Sequence, residues 1–127
     1  MTGDVEGSVR VEGDVRELSR VLTNLVLNGI VHTPAHGAVV ISAGTDRAAA
    51  WVTVTDSCGG IPEPDLSRVF EPWWRGTSAR TPSGSSAGLG LAIVRGLVEA
   101  HGGSVAVDNV DGGCRFAVRL RRPAARR

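Results

Sequence analysis

An α+β fold is what this sequence predicts: a two-layer α/β sandwich with a mixed sheet of about five strands and about three helices. Three observations carry that expectation. Two segments repeat apolar residues at helical spacing, one around Leu18 and one around Val94. Two β-hairpin patterns stand apart, one between Val39 and Thr55 and one between Ser104 and Leu120. Strands and helices alternate irregularly around those hairpins, which disfavours a doubly wound parallel sheet.

In chain order, Val9 and Val11 alternate with Arg10 and Glu12, the pattern of a short strand entering Gly13 and Asp14. Asp14 is placed to cap the helix that follows, with Glu17 at the third helical position completing a capping-box-like start. Val15, Leu18, Val21, Leu22 and Leu25 keep helical spacing, and Pro34 and Gly37 end it. Val39 to Ala43 and Trp51 to Thr55 are β-branched runs separated by Gly44 to Arg47, an antiparallel hairpin. Ser57 to Pro64 is a loop by its glycines and prolines, and Asp65 to Phe70 reads as one or two helical turns. Gly76 to Ser86 is small and polar, with Ala79 and Pro82 its only apolar residues, so a mobile surface segment is expected. Gly88 to His101 is a helix with Leu89, Ile93, Val94, Leu97 and Val98 on one face, stopped by Gly102 and Gly103. Strands at Ser104 to Asn109 and Cys114 to Leu120 flank a turn at Asp111, Gly112 and Gly113.

A chain of 127 residues with 42% hydrophobic content suits a single domain over 1–127, with its core at about 9–120 and a basic tail at 121–127. A net charge of +1 offers no field for nucleic acid or a membrane surface. From Arg115 to the end there are six arginines and no acid, read as a solvated end in preference to a contact for a phosphate-rich or acidic partner. All fourteen basic residues are arginine, so any phosphate-gripping side chain is a bidentate guanidinium. Cys58 and Cys114 are too few and too unpatterned for a disulfide framework or a zinc site, which makes a reducing cytoplasm the expected compartment. No apolar run approaches bilayer length and no signal pattern opens the chain. A soluble piece with no membrane contact of its own is expected, whatever anchors the parent protein.

Three short segments carry chemistry. Asn24 and Asn28 lie one helical turn apart in an apolar run, where their amides need partners, either structural hydrogen bonds or a hard cation such as magnesium. Asp56 ends a strand and runs into Ser57, Cys58, Gly59, Gly60 and Ile61; a carboxylate there accepts from an adenine amine, and small residues let a flat base approach the backbone. Gly88, Leu89, Gly90 and Leu91 open the last helix, where exposed backbone N–H groups and the helix dipole favour a phosphate.

Taken in order, N24-L-V-L-N28, D56-S-C-G-G60-I61, F70-E-P-W-W-R75 and G88-L-G-L-A-I-V94 resemble the N, G1, F and G2 boxes of histidine kinase catalytic domains. The likeness runs from about Asp14 to Leu120 and includes E99-A-H-G-G103. It implies the Bergerat ATP-binding fold shared with DNA gyrase, MutL and heat-shock chaperone ATPases, with ATP and Mg2+ as ligands. It also implies that Asn28 holds magnesium, Asp56 reads adenine, and Gly60 and Ile61 line the base. Gly88, Leu89, Gly90 and Leu91 would meet the phosphates, and Arg75 would approach them from the F box. Asn24, Asn28 and Arg75 form the implied catalytic set, and Gly76 to Ser86 corresponds to the ATP lid.

The pattern has departures. Cys58 stands where the first G1 glycine is usual, Val31 replaces a basic residue, and Ser86 replaces a G2 glycine. Asn24 occupies the place where gyrase-like ATPases and anti-sigma serine kinases carry a water- or hydroxyl-activating glutamate, which favours the histidine kinase reading. His32, His36 and His101 are followed by Thr33, Gly37 and Gly102, not by the acid that accompanies a phosphorylatable histidine. The implied partners are therefore a histidine-bearing dimerisation domain, in cis or in trans, and a response regulator downstream. Two alternatives are an anti-sigma-type serine kinase and a degenerate nucleotide-sensing module.

Overall fold

A computed structural model of the chain describes residues 2–4, 13–47, 49–71 and 90–121. Its elements are β1 (Thr2–Asp4), α1 (Val15–His32), β2 (Val40–Thr45), β3 (Ala49–Asp56), a 3-10 turn (Glu63–Asp65), α2 (Gly90–Ala100), β4 (Ser104–Val110) and β5 (Gly113–Arg121). The five strands form one sheet in the order β1-β2-β3-β5-β4. β1 runs parallel to β2 and the other pairings are antiparallel, so the sheet is mixed.

The helix starts as its cap residue dictates, with one substitution of partner. Asp14 accepts from the N–H groups of Arg16 (2.9 Å) and Glu17 (3.0 Å), satisfying two of the orphan donors of α1. The return arm expected of Glu17 is made instead by His101, whose Nε2 accepts from the Asp14 N–H at 3.1 Å. His101 lies just beyond α2, so a contact expected to be local is tertiary. Because Nε2 accepts, the ring proton sits on Nδ1 and is donated to the Leu97 carbonyl at 2.8 Å. His101 is a satisfied polar side chain.

Alternation in β5 sets the layers: Cys114, Phe116, Val118 and Leu120 are buried, while Arg115 and Arg119 are exposed. The buried face meets Val54 of β3, Val21 and Leu25 of α1, and Val94 and Val98 of α2 in one core. Phe70 closes this core edge-on against Phe116, with ring centroids 5.9 Å apart. The result is the two-layer α/β sandwich read from the sequence.

Element by element, β2 begins one residue later and ends two later than expected, β3 gains two residues at its start and one at its end, β4 gains one at its end, β5 gains one at each end, and α2 is described from Gly90. The turns expected at Asp65 to Phe70 begin earlier and stay tight: a 3-10 turn at Glu63–Asp65 is followed by three-residue bonds from Arg68 to Asp65 and from Glu71 to Arg68. Pro62 and Pro64 fall at the cap and in the first turn, where no intrahelical N–H is needed, and they suit the start of such a turn. The strand expected at Val9 to Glu12 lies outside the described residues. β1 was not anticipated, because Thr2, Gly3 and Asp4 carry no apolar alternation.

Candidate functional site

Asp56 is the last residue of β3, and the strand register sets it opposite Cys114 of β5. Residues opposite one another across a ladder project to the same face. Asp56 is only 4% exposed, on the face covered by the helices. Oδ1 accepts from the N–H of Cys58 (3.0 Å) and, more weakly, from that of Cys114 (3.3 Å). Among the described residues, the only polar contact of Oδ2 is the Cys114 thiol, at 3.4 Å. One oxygen is thus committed to the backbone and the other is nearly free.

The loop after Asp56 is clamped on both sides. The Ser57 N–H donates to Thr33 Oγ1 and its hydroxyl pairs with the backbone of Ala38, each at 3.2 Å, which holds the loop to the end of α1. On the far side, Asn109 of β4 grips the backbone of Ile61. Its Oδ1 accepts from the Ile61 N–H at 2.7 Å and its Nδ2 donates to the Ile61 carbonyl at 2.8 Å. The Gly59 N–H donates to the Gly112 carbonyl at 3.0 Å. Gly59 and Gly60 hold φ of +93° and +105°, a region that side chains disfavour. At Gly113 a Cβ would run into the Asp56 carbonyl, so the β4–β5 turn passes against the site only because that residue is glycine.

α1 reaches the same place from the other layer. Gly29 is buried, and a Cβ there would stand 3.5 Å from the Asp56 Cβ, which measures how closely the helix passes. Asn28 is the residue before it; its part-buried side chain has no hydrogen-bond partner among the described residues. One turn earlier, Asn24 Nδ2 donates to the Gly90 carbonyl at 3.4 Å, joining α1 to the first residue of α2. Leu91 packs against the core beside it. Hydrogen bonds therefore link Asn24 to Gly90 and Asp56 to the loop that carries Gly60 and Ile61, while Gly29, the residue after Asn28, passes close by Asp56. Arg75, Gly88, Leu89 and the segment Gly76 to Ser86 lie outside the described residues.

Cys58 and Cys114 surround the carboxylate. Their sulfurs are 3.6 Å apart, and the Gly60 N–H donates to Cys58 Sγ at 3.3 Å. Burial, with the Asp56 carboxylate and the Cys58 sulfur beside it, pushes the Cys114 thiol far above its ordinary value of 9.0. Burial and the hydrogen bond with Asp56 also raise Cys58. Sequence reasoning missed Cys114 and Asn109 as neighbours of this loop. An asparagine near a strand end and a cysteine opening a strand carry no distinguishing signal; the β3–β5 register brings Cys114 to Asp56, and the β4–β5 register sets Asn109 beside Cys114.

Two helices on one face of a mixed sheet make an α/β sandwich of the kind used by ATP-binding catalytic domains. The comparisons agree. Residues 13–124 match the model of the family described as "Histidine kinase-, DNA gyrase B-, and HSP90-like ATPase". The chain belongs to that family. It is 39% identical over 105 residues to the sensor protein IrlS of Burkholderia pseudomallei, covering 83% of this chain and 23% of that protein. It is 40% identical over 112 residues to the probable sensor histidine kinase TcrY of Mycobacterium tuberculosis, covering 88% and 24%. The chain thus spans about a quarter of the length of these curated relatives. Among solved structures it is similar to the mycobacterial sensor histidine kinase MprB, with TM-score 0.81, 34% identity, and coverage of 96% and 86%. The catalytic domain of histidine kinase ThkA gives TM-score 0.82, 29% identity, and coverage of 95% and 77%. No helix among the described residues is long and apolar enough to cross a membrane.

Proposed function

We propose that the chain is the ATP-binding catalytic domain of a two-component sensor histidine kinase. In this reading it holds Mg-ATP and presents the γ-phosphate to a histidine on a dimerisation domain outside this chain, upstream of a response regulator. The observation that carries it is the buried Asp56, with Oδ1 held by two backbone N–H groups and Oδ2 available. Such an oxygen accepts from the exocyclic amine of adenine and repels the carbonyl that guanine presents at the same place.

The other residues act around it. Gly60 and Ile61 lay bare backbone beside the base, and Asn109 keeps that backbone in place. In this reading the backbone N–H groups of the first turn of α2, from Gly90 and Leu91 onward, meet the phosphates, with Gly88, Leu89 and Arg75 completing the cradle. Asn28 fits magnesium because its part-buried amide oxygen has no described partner and hard cations take oxygen ligands. When bound, magnesium supplies charge neutralisation on the phosphate oxygens. Asn24 provides an amide where water activation would need a carboxylate, and that amide is turned to Gly90.

Calorimetry on Asp56→Asn tests the reading. The variant keeps an oxygen for the two backbone donors but places an amide N–H against the adenine amine, so Mg-ATP binding should weaken by about 1–3 kcal/mol. Equal affinity in both proteins overturns the assignment. With labelled ATP and a separate dimerisation domain, acid-labile phosphate should appear on that domain and none on the chain alone. Phosphate on the serine of an antagonist protein would instead mark the anti-sigma branch. Binding without any transfer would mark a nucleotide-sensing module.

A further inference from the structure

Beside Asp56 the two cysteines supply sulfur donors that nucleotide binding does not use. The Cys58 and Cys114 sulfurs are 3.6 Å apart, and Asp56 Oδ2 lies 3.4 Å from Cys114 Sγ. One ligand atom from each of the three residues falls within 4.8 Å of the others. A tetrahedral zinc ion with bonds of about 2.3 Å to sulfur and about 2.0 Å to oxygen has edges of about 3.8 Å between sulfurs and about 3.5 Å between sulfur and oxygen. The sulfur–sulfur edge of 3.6 Å and the sulfur–oxygen edge of 3.4 Å lie close to those lengths.

The geometry points to a binding site for a thiophilic divalent cation of the zinc class, held by Cys58 Sγ, Cys114 Sγ and Asp56 Oδ2, with the fourth position left to solvent. The surrounding hydrogen bonds suit that assignment. The Gly60 N–H is directed at Cys58 Sγ, and the N–H groups of Cys58 and Cys114 occupy Oδ1, which leaves Oδ2 to the cation. Cys58 is the half-buried member and offers the approach from solvent. On binding, the two thiols give up their protons to water and the sulfurs become the ligands. Soft sulfur donors separate this site from magnesium, which prefers oxygen. Occupation of Oδ2 also withdraws it from an adenine amine, a consequence that rests on the nucleotide reading above.

The test uses the metal alone, so that its outcome is independent of nucleotide binding. The reduced chain, free of ATP and magnesium, is titrated with cadmium ion, a zinc surrogate whose thiolate complexes absorb in the ultraviolet. A charge-transfer band saturating at one cation per chain, and bleached by added zinc, is expected. Cys58→Ala, at a half-buried position, should fold and bind cadmium more weakly by over about 100-fold, beyond the usual loss from an outer-shell change. Asp56→Asn supplies a second variant should Cys58→Ala fail to fold, and it should also weaken binding. Absence of the band from the folded wild-type chain, or unchanged affinity in a folded variant, overturns the site.

Discussion

The backbone N–H of Asp14 donates to Nε2 of His101 at 3.1 Å, fastening the start of α1 to the end of α2. The partner is the backbone of Asp14, while the Asp14 side chain is engaged with its own helix. His101→Ala should therefore cost about 1 kcal/mol and Asp14→Ala about 0.5–2 kcal/mol. Because Asp14→Ala leaves the backbone donor in place, the two losses should add to within about 0.5 kcal/mol in a double-mutant cycle read by urea unfolding. A larger coupling would mean that His101 works through the carboxylate.

Asn24 and Asn28 share a helix face but should respond differently to truncation. Asn24→Ala loses a long bond to Gly90 and should cost at most about 1 kcal/mol of stability. Asn28→Ala loses no described hydrogen bond and should change stability by less than about 0.5 kcal/mol. Its effect belongs in binding: the gain in ATP affinity on adding magnesium should disappear. Comparing calorimetry with and without magnesium decides this. A destabilised Asn28→Ala that keeps the magnesium effect would make the residue structural.

Asn109→Ala removes both bonds to the Ile61 backbone and should cost about 1–2 kcal/mol. The loss should be local, so the Ile61 amide exchanges faster while amides in the middle of β3 keep their protection. Nucleotide affinity should fall in parallel, because the loop beside the base is no longer held. Unchanged exchange at Ile61 would show that the Gly59 to Gly112 bond suffices.

The raised thiols give stability a definite pH slope. Both Cys58 and Cys114 hold their protons more tightly folded than unfolded, where the ordinary value is 9.0. Above that value the unfolded chain binds fewer protons than the folded one, so stability falls as pH rises. It is fully present below about pH 8 and declines progressively through about pH 10 and beyond. Urea midpoints measured with a reductant and a chelator should show this decline, and Cys114→Ala should flatten it. A slope unchanged in that variant would place its cause elsewhere.

The sequence by itself determined the periodic elements and the order of the boxes. Helical spacing from Val15 to Leu25 and from Leu89 to Val98, the Asp14 cap, and the strand at Cys114 to Leu120 are local signals, because they follow from 3.6- and 2-residue periods and from backbone groups within a turn. The place of Asp56 at a strand end before a glycine loop was legible for the same reason. Tertiary structure alone decided who surrounds that carboxylate. Cys58 and Cys114 are 56 positions apart and show no ligand spacing, yet the register of β3 with β5 sets Cys114 opposite Asp56 and brings the sulfurs to 3.6 Å. Asn109 reaches Ile61 across 48 positions, and His101 reaches Asp14 across 87. Such contacts depend on strand register and on how helices settle on the sheet. Those are set by burial summed over the whole core, which no short stretch of residues encodes.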